Sequence, residues 1–202
     1  MNTTPFHVFW NKHYPESVPL GHLLRADYPA RWFRIHSLPE SKRYADNEDE
    51  WKILLYRQNM LITDLLGIDA EFYLVTGRYC FLNPEFVQID TEYHELDCFR
   101  KLGLQESEAI NLAARYPEHY DEEDGIHFVP AAVILTWRPG TLDDLLMKIA
   151  DDEAEAVFLS MTQKVAVCPY DGGVDCIVEA SDQVDYYKNK YRNWLSRLES
   201  SL

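Results

Sequence analysis

Apolar positions recur at helical spacing from the start of the chain. Phe6, Phe9 and Trp10 follow Thr4-Pro5, which reads as an N-cap with proline at the first helical position, and this helix ends near Tyr14-Pro15. Leu20, Leu23 and Leu24 predict a short further turn of helix before Tyr28-Pro29. The period then changes to two: Trp32, Arg34 and His36 alternate with Phe33 and Ile35, as in a half-buried strand, and Pro39 stops it. Asn47 followed by Glu48, Asp49 and Glu50 reads as an N-cap with acids in the first helical turn. Trp51, Leu54, Leu55, Leu61, Ile62, Leu65 and Leu66 form the buried face of that helix, and Gly67 sits at its C′ position. Glu71 to Thr76 predicts a strand with a turn at Gly77.

Periodicity is weaker from Tyr79 to Tyr120, where a strand at Phe86 to Ile89 and a helix from Ser107 to Arg115 are expected. Asp121-Glu122-Glu123-Asp124-Gly125 is a charged, exposed turn, and the apolar run Ala132 to Trp137 has the length of a central strand. Pro139-Gly140 turns the chain into Thr141-Leu142-Asp143-Asp144, which caps a helix to about Ala150. Three strand-like runs follow, Ala156 to Met161, Lys164 to Pro169 and Val174 to Val178, joined too tightly for parallel crossovers. The turn Asp171-Gly172-Gly173 permits positive φ where a hairpin calls for it. Ser181 then caps a final helix with Val184, Tyr187, Tyr191, Trp194 and Leu198 on one face, expected to cover one side of this antiparallel meander. The fold class is therefore α+β, a mostly antiparallel sheet of five or six strands with helices packed on it. With no repeat, linker or low-complexity tract, residues 1–202 read as a single globular domain: an N-terminal helical and strand half, then a C-terminal β-meander plus helix over 154–199.

A hydrophobic content of 47% with 13% aromatic residues supplies a packed core, so the acidic excess does not signal disorder. The formal charge of −15, from 19 Lys+Arg against 34 Asp+Glu, opposes binding to a nucleic-acid backbone and suits a basic protein partner. No apolar run approaches a membrane span, and Met1-Asn2-Thr3-Thr4-Pro5 has neither the basic start nor the apolar core of a signal peptide, so the cytoplasm is the expected compartment. Cys80, Cys98, Cys168 and Cys176 contain no C-x-x-C pair. Cys168 and Cys176 flank a turn and could face each other across a hairpin, although buried reduced thiols are the preferred reading. His7, His13, His22, His94, His119 and His127 include no H-E-x-x-H and no i, i+4 pair, and His94-Glu95 is an isolated neighbour pair. P-loop, Rossmann and G-x-S-x-G patterns are absent too, so neither metal nor cofactor is expected.

Positive charge is concentrated in one stretch. Arg31 to Tyr44 holds four basic residues, Arg31, Arg34, Lys42 and Arg43, against the single acid Glu40. Such an island needs either internal acids or an external anion. As an anion site, Arg31 and Arg34 would bind a carboxylate or phosphate bidentately, Lys42 and Arg43 would add charge, and Ser37 and Ser41 would donate hydrogen bonds. His36 would be the acid or base, with Asp171 or Asp175 opposite it; the two aspartates are also weighed as metal ligands. The plainer reading is preferred: Arg34 and His36 lie on the polar face of a strand, Lys42 and Arg43 pair with nearby acids, and Asp171 and Asp175 serve the turn.

The segment Tyr170-Asp171-Gly172-Gly173-Val174-Asp175, an apolar strand, and then Tyr187-Lys188-Asn189-Lys190-Tyr191-Arg192-Asn193-Trp194-Leu195 resembles the C-terminal part of an uncharacterised bacterial family, domain of unknown function 3885. The glycine spacing departs from the family's commonest form, and its acidic tail is missing. The resemblance implies a small bacterial cytoplasmic protein and carries over no catalytic residue. Two functions then compete. The first is an acidic module of immunity or antitoxin type that docks a basic protein through Asp121, Glu122, Glu123 and Asp124, and through Asp143, Asp144, Asp151, Asp152, Glu153 and Glu155. The alternative is an enzyme or small-anion binder on the Arg31–Tyr44 stretch. Without a catalytic signature, binding takes precedence over catalysis.

Overall fold

The computed structural model describes residues 4–81, 93 and 96–195. Phe86 to Ile89, His94-Glu95 and Leu198 lie outside the described residues. Among those residues, eight strands form one sheet in the order β1-β8-β7-β6-β2-β5-β3, with β4 also on β5. The strands are β1 (Trp32–His36), β2 (Glu71–Phe81), β3 (Gln105–Glu106), β4 (Ile110–Asn111), β5 (Ile126–Thr136), β6 (Val157–Ser160), β7 (Ala166–Tyr170) and β8 (Gly173–Ile177). The helices are α1 (Pro5–His13), α2 (Gly21–Asp27), α3 (Glu48–Leu66), α4 (Asp97–Arg100), α5 (Leu112–Arg115), α6 (Asp143–Ala150) and α7 (Asp182–Lys190). The fold is α+β and antiparallel, with more strands than the five or six expected. The extra strands are two-residue pairings, Gln105–Glu106 and Ile110–Asn111, too short to show a period.

The chain forms two compact units, Met1–Pro19 with Val75–Val133, and Leu20–Leu74 with Ile134–Leu202. In the first, Thr4 caps α1 by accepting from His7 N at 3.2 Å, and the buried Trp10 stacks on Tyr14 at 4.7 Å. The Trp10 indole donates to the Ser17 carbonyl at 2.9 Å, so a buried polar group finds its partner. Gly77 does not turn the chain; β2 runs through it. A Cβ there would meet the Phe128 ring at 2.4 Å and the Val129 carbonyl at 2.5 Å, so this glycine serves close strand approach. The helix expected from Ser107 shortens to α5, capped by Asn111, because the Ser107 amide donates to Pro130 at 2.8 Å in strand geometry.

In the second unit, Asn47 Oδ1 accepts from the amides of Asp49 and Glu50 at 3.1 and 3.0 Å, and α3 ends at Gly67 with φ 91°. Leu54, Leu61, Ile62, Leu65 and Leu66 are buried, as the spacing predicts. Phe72 of β2 stacks on Phe158 of β6 at 5.6 Å, and Trp137 packs edge-on against both. The meander β6-β7-β8 is antiparallel throughout, and β1 joins β8 antiparallel. Neither Gly172 nor Gly173 adopts a left-handed φ. Gly173 is small for another reason: a Cβ there would lie 2.1 Å from the Ile35 carbonyl of β1. Register pairs Cys168 with Asp175 and Val167 with Cys176, so the two cysteines point to opposite faces instead of toward each other. Both are free and buried, and burial pushes both thiols well up. α7 packs on β1, with Tyr187 stacked on Phe33 at 5.4 Å, and stops at Lys190 before a 3-10 turn at Arg192–Trp194. Ser181 makes no side-chain cap, and neither does Leu142 before α6.

Candidate functional site

The alternation in β1 sorts its side chains. Phe33 and Ile35 are buried, while Trp32, Arg34 and His36 are half-buried on the opposite face. Register sets Arg34 opposite Asp175 and His36 opposite Gly173. Asp175 accepts from Arg34 Nε at 2.7 Å and Nη2 at 2.8 Å, and from the Trp32 indole at 2.9 Å. This is a bidentate, charge-assisted pair with side chains only 14% and 8% exposed. Burial works against the Arg34 charge, but the hydrogen bonds and charge of Asp175 outweigh it and hold the guanidinium above its ordinary pKa. The same guanidinium lies over the rings of Tyr170 at 4.8 Å and Trp32 at 5.4 Å. Burial, foremost, pushes the Tyr170 phenol up to about 12, so it stays neutral.

The rest of the basic stretch is also engaged within the unit. Asp171, 4% exposed, accepts from Arg43 Nε at 2.5 Å and from the Tyr44 hydroxyl at 2.9 Å. Lys42 bridges Asp46 at 2.7 Å and Glu50 at 2.6 Å. Arg31 Nε donates to the Val178 carbonyl at 2.6 Å, and its guanidinium covers the Tyr28 ring. Ser37 is buried and accepts from Gln58 Nε2 at 2.9 Å. The structure thus brings the basic stretch together with Asp171 and Asp175, but as ion pairs and not as an open anion cradle. A half-buried arginine needs a counter-charge, and β8 supplies one in register. Among the described residues, no hydrogen bond joins His36 to Asp171 or Asp175, so no acid–base pair forms there.

His36 and Ser41 have a different setting. Together with Glu40, Arg57, Asn193 and Trp194 they line a cavity of about 160 Å³ at the end of β1. Glu40 and Ser41 both hold left-handed backbone angles, φ 54° and 56°, which cost energy outside glycine. Arg57 Nη1 donates to the His36 carbonyl at 3.0 Å, and its guanidinium lies 5.4 Å from the centre of the Trp194 ring. Burial pulls the Arg57 pKa down. His36 is also lowered: burial contributes most, the Arg34 and Arg57 charges add to it, and the Gly172 backbone and Asp175 oppose it. Among the described residues, His36 Nδ1 is buried and has no hydrogen-bond partner.

Sequence reasoning missed Arg57, Asn193 and Trp194. Arg57 lies beside the apolar face of α3, next to the buried polar Gln58, and that polar neighbour on a core-facing helix is the one local hint. The helical spacing puts Trp194 on a core stripe, yet the 3-10 turn after α7 places it at the cavity wall. Among the described residues, no group of three or more His, Cys, Asp or Glu is arranged to hold a metal ion. In the same residues no helix is long and apolar enough to cross a membrane.

No curated protein and no solved structure matches the chain. A family model does, over residues 20–199, which takes in the second unit up to residue 199 and the Val75–Val133 part of the first, and reaches well beyond the C-terminal segments that first suggested it. The chain belongs to the family described as Domain of unknown function (DUF3885).

Proposed function

We propose that this is an acidic protein-binding module of the bacterial cytoplasm, of the immunity or antitoxin kind, whose partner is a basic protein. The observation that carries this reading is the internal pairing of the basic stretch: Arg34 with Asp175, Arg43 with Asp171, and Lys42 with Asp46 and Glu50. These three cations pair with four internal carboxylates, so the acidic excess rests on other side chains. Asp121, Glu122 and Glu123 are exposed on a short 3-10 turn in the first unit. Asp144, Asp151, Asp152 and Glu155 are exposed around α6 in the second. Carboxylates presented this way steer a basic partner during encounter and suppress acidic competitors.

Co-purification from the native cell at low salt tests the proposal. A basic protein is expected to be retained at 50 mM NaCl and released at about 0.5 M, where the screening length falls to a few ångströms. The substitutions Asp121→Lys, Glu122→Lys and Glu123→Lys together, or Asp151→Lys with Asp152→Lys, are expected to cut its association rate by about tenfold. Retention of no basic protein, or retention indifferent to both salt and charge reversal, removes the docking function.

A further inference from the structure

The cavity at the end of β1 is independent of the acidic surfaces. Three features of it point to a ligand. Among the described residues, no carboxylate pairs with Arg57, whereas Arg34, Lys42 and Arg43 each have one. Among those residues it donates to the His36 carbonyl alone, and a guanidinium carries five N–H donors in a planar fork. His36 lines the same cavity, and its Nδ1 is buried with no partner among the described residues, a state that costs free energy. Finally, the Glu40-Ser41 pair holds two successive left-handed residues at the cavity wall, backbone strain of the kind that gathers at binding sites.

We propose that this cavity binds the carboxylate group of a small organic acid, held by the Arg57 fork and hydrogen-bonded by His36, Ser41 and Asn193. Size and charge select this class. At about 160 Å³ the cavity falls below the roughly 300 Å³ at which drug- or nucleotide-sized pockets begin. The water-sized share of liquid volume is about 30 Å³, so the space equals about five waters, enough for an acid of a few heavy atoms. Among the described residues that line it, the positive charge on offer is the guanidinium of Arg57, with Glu40 on the same wall. That balance suits one negative charge better than the two of a phosphate group, and a planar carboxylate matches the planar fork. Trp194 closes one side: Arg57 lies over it, and Tyr191 stacks on it at 4.8 Å, which keeps the guanidinium in place.

Titration followed by the ring resonances of His36 tests this, with acetate, succinate and inorganic phosphate added separately at constant ionic strength to the full chain. Saturable shifts are expected with acetate or succinate at roughly millimolar concentration. Arg57→Gln is expected to weaken the binding at least tenfold. Arg138→Gln, an exposed arginine paired with Asp69, serves as the control and should leave it unchanged. Asn193→Asp adds a negative charge at an exposed wall position that bears little on folding, so it reports even if Arg57→Gln is poorly folded; about fivefold weakening is expected. Tighter binding of phosphate than of either carboxylate overturns the assignment. Absence of saturation with both carboxylates, or unchanged affinity in Arg57→Gln or Asn193→Asp, overturns the site.

Discussion

The Arg34–Asp175 pair shows how a single position acquires its meaning from a neighbour far away in sequence. Trp32 and Arg34 converge on one carboxylate that is 8% exposed, and three donors satisfy it. Replacing Asp175 by Asn keeps the volume but strips the counter-charge from a half-buried guanidinium. The expected loss is about 3 kcal/mol in urea unfolding with an unchanged denaturant slope, because an unpaired buried charge costs far more than the intact pair contributes. A loss below about 1 kcal/mol would mean that solvent reaches Arg34 and substitutes for Asp175. Arg43 differs: it is 65% exposed, and its bond to Asp171 serves to satisfy that buried carboxylate more than to add stability. The strand alternation that places Arg34 on the polar face was legible in the chain. Its partner was not, since Asp175 reads locally as the end of a glycine turn.

At the scale of elements, the pairing of β1 with β8 positions both the ion pairs and the cavity. Gly173 decides whether that pairing can form, because its Cα faces the Ile35 carbonyl with no room for another atom. Gly173→Ala is expected to destabilise by about 3 kcal/mol and to raise amide exchange in β1 at Phe33 and Ile35 before it does so in β6. Uniform exchange across the meander would show instead that the strands open together. Helix α3 was readable in full, from the Asn47 cap to Gly67, since caps and a 3.6-residue stripe are local signals. Gly77 and Gly173 look like turn residues in the sequence for the same reason: glycine looks alike whether it bends the chain or admits a neighbouring strand.

For the whole molecule, the net charge of −15 opposes compactness through self-repulsion, and salt relieves it. Raising NaCl from 0.05 to 0.5 M is expected to increase stability by about 1 kcal/mol, a rise in Tm of roughly 3 °C. A fall in Tm over that range would show that surface ion pairs such as Arg138–Asp69 and Lys148–Glu153 outweigh the repulsion. The same charge underlies the proposed docking of a basic partner, so the two salt experiments probe one property from the folding and the binding side.

The sequence by itself determined the α+β class, the first three helices, β1, the tight C-terminal meander and the family, because periodicity, caps and short connections are written in neighbouring residues. Only the tertiary structure decided that the basic stretch pairs with Asp171 and Asp175, that two glycines serve strand approach, and that Arg57 meets His36 and Trp194 around a cavity. The physical reason is that charge pairing and close contact depend on distance in space. In this chain the groups that meet at those points lie 21 to more than 100 residues apart.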